Sequence, residues 1–130
     1  MSVEFDRLKN NLTVLDGMDR LEYLYELSKK NEGIPDGLKN DESRIWGCIS
    51  ISFLIVDDIE PVVRIRIDSD AAFVKGLLFL LKVYVNDKTK NEVINIDEEN
   101  LMKEIGLKNA ISSQRMNGFY AAIKKLKESI

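Results

Sequence analysis

The sequence predicts an α+β fold, a small antiparallel sheet packed with helices, on three observations. Apolar residues recur at helical spacing towards both ends of the chain. The middle carries two β-branched stretches separated by a short polar break. The stretch after them is apolar on nearly every side of a helix. Strands grouped together with helices grouped around them define this class.

Taken in order, Phe5, Leu8, Leu12 and Leu15 predict a helix over 3–15. Asp16-Gly17 breaks it. A second helix runs from Met18 to about Lys30, with Leu21, Leu24, Tyr25 and Leu27 or Ser28 near one face and Asp16 as its cap. Residues 31–43, NEGIPDGLKNDES, are rich in Gly, Pro, Asn and Asp and read as a loop. Ser50 to Val56 is β-branched and apolar, a strand. Asp57-Asp58-Ile59-Glu60-Pro61 reads as a turn. Val62 to Ile67 follows with Val63, Ile65 and Ile67 on one face and Arg64 and Arg66 on the other, which completes an antiparallel hairpin. Asp68 or Ser69 is the expected cap of a helix over about 70–86. Phe73, Val74, Leu77, Leu78, Leu80, Leu81, Val83 and Tyr84 surround it, so it is the central helix. Gly76 within it implies close packing. Asp97 caps a short helix ending near Gly106, and Ser112 or Ser113 starts the last one, with Met116, Phe119, Tyr120, Ile123 and Leu126 facing inward. The expected order is helix, helix, hairpin, then three helices.

The 130 residues fit one domain, 1–130. Nineteen basic and 22 acidic residues leave a net charge of −3, the wrong sign for a nucleic-acid binder. Lys124, Lys125 and Lys127, with Glu128 among them, read as a solvated helix face. The longest apolar run, GLLFLL at 76–81, is too short to span a bilayer, and MSVEFDRLKN has no apolar signal-peptide core. The expectation is a cytoplasmic protein with no membrane and no nucleic-acid partner, in which thiols stay reduced.

One cysteine and no histidine exclude a Ser-His-Asp triad, a Cys-His protease pair and a Cys/His zinc site. No GxGxxG or GxxxxGK[ST] occurs. Asp97-Glu98-Glu99 reads as a helix N-terminus favoured by the dipole. Cys48, in RIWGCISISF (44–53), has two readings. A free cysteine behaves as a small, often buried hydrophobe. Against that, Cys48 follows Gly47 at a loop-to-strand junction, and Arg44 lies four residues before it, a cation that favours thiolate. A thiolate attacks a disulfide or persulfide sulfur and displaces another thiolate without a general base. From the residues alone, both readings stay open.

Four segments resemble the SufE-like family of sulfur-acceptor proteins over about residues 5 to 129. Arg44-Ile45-Trp46-Gly47-Cys48 followed by Ser50 resembles the family's cysteine loop, roughly N-x-V-x-G-C-Q-S-x-V-W. Asp68-Ser69-Asp70-Ala71-Ala72-Phe73-Val74-Lys75-Gly76-Leu77 resembles its DSD-x-x-I-V-K/R-G-L segment, the most specific part. Ile111-Ser112-Ser113-Gln114-Arg115-Met116-Asn117-Gly118 resembles L-S-P-S-R-x-N-G, and Glu22-Tyr23-Leu24-Tyr25-Glu26-Leu27 resembles the early K-Y-x-x-I-I-x-L helix. The departures are Ile49 for Gln, Phe53 for Trp, Ser43 for Asn and Ser113-Gln114 for Pro-Ser, and Ile49 is where altered partner choice is to be sought.

The resemblance implies a fold shared with scaffold proteins of the IscU type, and persulfide acceptance as the activity. Sulfur passes from a PLP-dependent, SufS-like cysteine desulfurase onto Cys48. The carrier stimulates that enzyme and delivers the sulfur towards iron–sulfur cluster assembly, to a scaffold such as a SufBCD-type complex. PLP belongs to the desulfurase, so the resemblance implies no cofactor and no metal for this chain, as monomer or homodimer. It makes Cys48 the nucleophile, the loop with Arg44, Gly47, Ile49 and Ser50 its presenting or partner-binding segment, Asp70 a neighbour of that loop, and Arg115 a residue that orients it or stabilises thiolate charge. The alternatives are an iron–sulfur scaffold or a non-catalytic binding module of the same fold. One cysteine and no histidine weigh against the scaffold.

Overall fold

The computed structural model describes residues 3–15, 17–47, 50–106 and 113–130. Along them run α1 (Val3–Val14), α2 (Gly17–Ser28), β1 (Ser52–Asp58), β2 (Arg64–Ser69), α3 (Ala72–Val85), α4 (Lys90–Ile94), α5 (Glu98–Glu104) and α6 (Ser113–Glu128), with one 3₁₀ turn at Asp36–Leu38. The α+β expectation holds.

The two strands pair antiparallel, with Ser52 opposite Ser69, Leu54 opposite Ile67 and Val56 opposite Ile65. Leu54, Ile65 and Ile67 are buried. Both strands start about two residues later than the alternation suggests. Val63 is buried, but its N–H goes to the Lys88 carbonyl (2.7 Å) rather than across to β1. Asp57 and Asp58, expected in a turn, end β1 instead. Arg66 holds Asp57 with both ends of its fork, at 2.9 Å each.

Helix α3 is the centre, packed by α1, α2, α6 and β2. Leu77, Leu78, Leu80 and Leu81, at successive angles around it, are all buried. Gly76 is where α2 touches it. A Cβ built there would stand 2.0 Å from the Leu24 carbonyl oxygen, so two helix backbones meet with no side chain between them. That contact also fixes the rotation of α2. Leu24 and Leu27 turn inward, while Tyr25, expected near the buried face, is 46% exposed. From α1, Phe5, Leu8 and Leu12 complete this side, with the Phe5 ring 4.7 Å from Tyr84.

The start of α3 differs from expectation. Ala71 is the N-cap, with no side-chain cap bond. The Ser69 hydroxyl accepts the Ala71 N–H (3.2 Å) one step too early to cap, and Asp68 is engaged elsewhere. Four helices, not three, follow the sheet among the described residues. The added one, α4, is held by a capping box between Thr89 and Glu92. Five residues are too few to show a helical period. Asp97 caps α5 as expected, accepting the Asn100 N–H at 3.1 Å. In α6, Phe119, Ile123 and Leu126 are buried. Lys127 is not simply solvated, since it reaches the Ile96 carbonyl (2.6 Å) and Glu98 (2.9 Å) and ties α6 to α5. Asp16 and Ser112, expected as caps, lie outside the described residues. Among those described, no helix is long and apolar enough to cross a membrane.

Gly76→Ala tests the α2–α3 contact. Helix propensity alone would make it stabilising by about 1 kcal/mol. Overpacking against backbone reverses the sign, and a loss of about 3 kcal/mol is expected in urea unfolding. Wild-type stability in the variant would show that the helices separate freely.

Candidate functional site

The cysteine segment is a second, irregular hairpin joined to the end of β1. Its stem is closed by Leu54 N–H to the Ser43 carbonyl and Ile45 N–H to the Ser52 carbonyl, both 2.8 Å, with Arg44 paired to Phe53. The stem is anchored in the core, Ile45 at 1% exposure and Ser52 at 0%. The tip, 46–51, emerges from it. Trp46 is 62% and Ile51 46% exposed. Cys48 and Ile49 belong to this tip and lie outside the described residues.

The two shoulders of the tip are built differently. On the incoming side Gly47 has φ +90°, a region that side chains rarely adopt, and a Cβ there would stand 3.7 Å from the Ala121 methyl of α6. Glycine before the cysteine is therefore a conformational requirement. On the outgoing side Asp70 grips Ile51 twice, its Oδ1 accepting the Ile51 N–H and its own N–H donating to the Ile51 carbonyl, each 3.0 Å. Between these shoulders Ser50 is buried, its hydroxyl 3.0 Å from that of Ser52, which donates to Ser69 at 2.9 Å. The structure thus brings Ser50 and Asp70 together at the outgoing shoulder, with Arg44 and Gly47 on the incoming one. The Arg44 guanidinium lies over the Trp46 ring, 4.8 Å from its centroid. Arg115 falls in the first turn of α6, and its side chain is outside the described part.

Asp68, which sequence reasoning assigned to a helix cap, is the residue that seats this assembly. Its carboxylate accepts the N–H groups of Ile34 (3.0 Å) and Ser69 (2.8 Å) and faces the ammonium groups of Lys39 (3.1 Å) and Lys75 (3.5 Å). Burial alone would push its pKa up. The Ile34 N–H, the Lys39 ammonium and the Ser69 N–H outweigh burial and hold it below the usual carboxylate value. Gly33 (φ +77°) makes room, since a Cβ there would stand 2.7 Å from Asp68 Oδ2. One side chain so joins the end of β2, the loop leading to the cysteine hairpin, and α3. The signal was present in the spacing of Asp68 and Lys75, which the start of α3 folds back into a pair. Among the described residues no group of three or more His, Cys, Asp or Glu is placed to hold a metal.

The family model for SufE, an Fe–S metabolism associated domain, matches residues 6–130. An uncharacterized SufE-like protein of Rhizobium meliloti (strain 1021) is 30% identical over 127 residues, covering 94% of this chain and 91% of the relative. A second, from Rhizobium etli, is 29% identical over 128 residues, covering 95% and 86%. The solution structure of a hypothetical protein from Thermus thermophilus shares the fold, with a TM-score of 0.77 over 98% of this chain and 93% of that one, at 20% identity.

Asp68→Asn tests the seat. Its ionised form is favoured by folding, so its contribution is complete above the unfolded pKa, near pH 4, and is lost as pH falls through the lower folded value. The variant is expected to lose roughly 3 kcal/mol at pH 7, and the gap to wild type should close in acid. A gap independent of pH in denaturant titrations would refute the charge role.

Proposed function

The chain belongs to the SufE family of Fe–S metabolism associated domains, and on that premise we propose that it is a sulfur acceptor working through Cys48. The observation that carries this reading is the contrast within one hairpin, a stem buried in the core and, on either side of the chain's only cysteine, an exposed Trp46 and an exposed Ile51, the latter held by Asp70. A merely structural thiol has no use for such a mount. A carrier that must enter another protein's active site and return does.

The Cys48 thiolate attacks the terminal sulfur of the desulfurase persulfide. A new S–S bond forms at Cys48, the old one breaks, and its electron pair leaves with the desulfurase thiolate. One sulfur atom moves with no net redox change. The PLP that generates the persulfide stays with the desulfurase, and the carrier uses no cofactor or metal of its own. The Cys48 persulfide then passes sulfur, by the same exchange, to the cluster-assembly machinery. Ser50 and Asp70 support the loop from its outgoing side. Arg115, entering α6, and Arg44 are the cations assigned to the loop and its thiolate. Ile49 makes the tip more apolar than a Gln would, which suits a desulfurase with a matching apolar rim.

Incubation with a desulfurase from the same source, cysteine and PLP is expected to add one sulfur atom to Cys48, detected by intact-mass and peptide mass spectrometry. Cys48→Ser is expected to fold normally, accept no sulfur and stimulate nothing. Stimulation unchanged in Cys48→Ser would make the chain a binding module instead.

A further inference from the structure

Beside the incoming shoulder lies a pocket of about 280 Å³, lined by Arg44, Trp46, Ala121, Lys124, Lys125 and Glu128 among others. Three cations and one carboxylate face it, on a chain whose net charge is −3. Trp46 offers an exposed indole, the side chain most often found at the energetic centre of an interface. Arg44 stacks on that indole, and its Nε is shut off from solvent with no hydrogen-bond partner among the described residues. Lys125 is spent on the Glu42 carbonyl at 2.7 Å. Lys124 is exposed and meets no carboxylate within ion-pair distance among the described residues. A Cβ built at Gly47 would stand 3.7 Å from Ala121 of the pocket wall, so the pocket lies beside the residue that precedes Cys48 in the chain.

We propose that this pocket is the docking surface for an acidic segment of the desulfurase, with an apolar side chain against Trp46 and carboxylates towards Lys124 and Arg44. The proposal rests on the sulfur-acceptor reading. Charge complementarity selects the occupant. A positive island with an aromatic centre on an otherwise acidic protein attracts carboxylates and repels a basic segment. Its place, next to the residue that receives sulfur, means that filling it brings the donor persulfide to Cys48. Trp46 and Arg44 occupy positions where the family's cysteine-loop pattern has no fixed residue, so the surface is this chain's own means of choosing a desulfurase.

The test measures the carrier concentration that half-saturates desulfurase stimulation, for wild type, Trp46→Ala and Lys124→Glu. Loading of Cys48 by a low-molecular-weight persulfide is the parallel arm. Each variant is expected to need about 10-fold more carrier, with small-molecule loading and circular dichroism unchanged. Raising salt from about 50 to 300 mM should weaken wild type more than Lys124→Glu. Wild-type half-saturation in both variants overturns the proposal while leaving the acceptor reading intact. So does an equal loss of small-molecule loading, which would make these residues supports of the loop. Wild-type half-saturation combined with lost self-association in sedimentation assigns the face to a second copy and overturns it too. If wild type accepts sulfur only from the small molecule and from no desulfurase of its source, the acceptor reading itself fails and the docking surface falls with it.

Discussion

A carboxylate whose side chain is only 10% exposed is an unfavourable group to bury, and Asp68 is tolerated because four donors converge on it. Those donors come from three parts of the chain. Ile34 and Lys39 bring the loop after α2, Ser69 is the end of β2, and Lys75 is the first turn of α3. Removing any one leaves the buried carboxylate short of a donor, a cost that apolar packing does not carry. The hairpin that holds Cys48 grows out of this joint, entering from the Lys39 side and leaving through Ser50–Ser52 beside Ser69. The placement of its stem is inherited from the joint beneath it.

That inheritance explains a division within the hairpin. Its stem obeys the ordinary rules of a core, with backbone bonds at 2.8 Å and side chains excluded from water. Its tip breaks them, with an exposed indole and an exposed isoleucine beside the cysteine. Exposed apolar side chains crowded into one short loop usually mark a surface that another protein covers. A rigid stem lowers the entropy lost when such a loop is ordered against a partner.

The helices and the β hairpin were legible because periodicity survives where one face is buried. Gly76 was legible as a close contact for the same reason, since a glycine amid leucines is otherwise a cost. What escaped were features set by partners distant in sequence. The cap of α3 moved to Ala71 because Asp68 was taken by Ile34 and Lys39, a competition that local sequence does not display. Tyr25 turned outward because the Leu24–Gly76 contact set the rotation of α2. Within the site, Ser50 and Asp70 were found through the family resemblance, and their backbone clamp gives that resemblance a physical cause. Trp46 and Lys124 were invisible as a pair because their segments meet only in the folded chain, where Lys125 of α6 donates to the Glu42 carbonyl.

The Gly76 contact also ties distant parts of the chain into one unit. Leu24 of α2 finds its seat about fifty residues further on, across the whole loop and both hairpins. Helices of 12 residues hold little structure alone in water, so α1 and α2 depend on that seat for their own order. The sheet and α3, close in sequence, pack against each other and supply the surface on which α1 and α2 sit. The leucine face of α3 and the two helices that cover it are thus one cooperative unit, and parting them at Gly76 bares apolar surface on both sides.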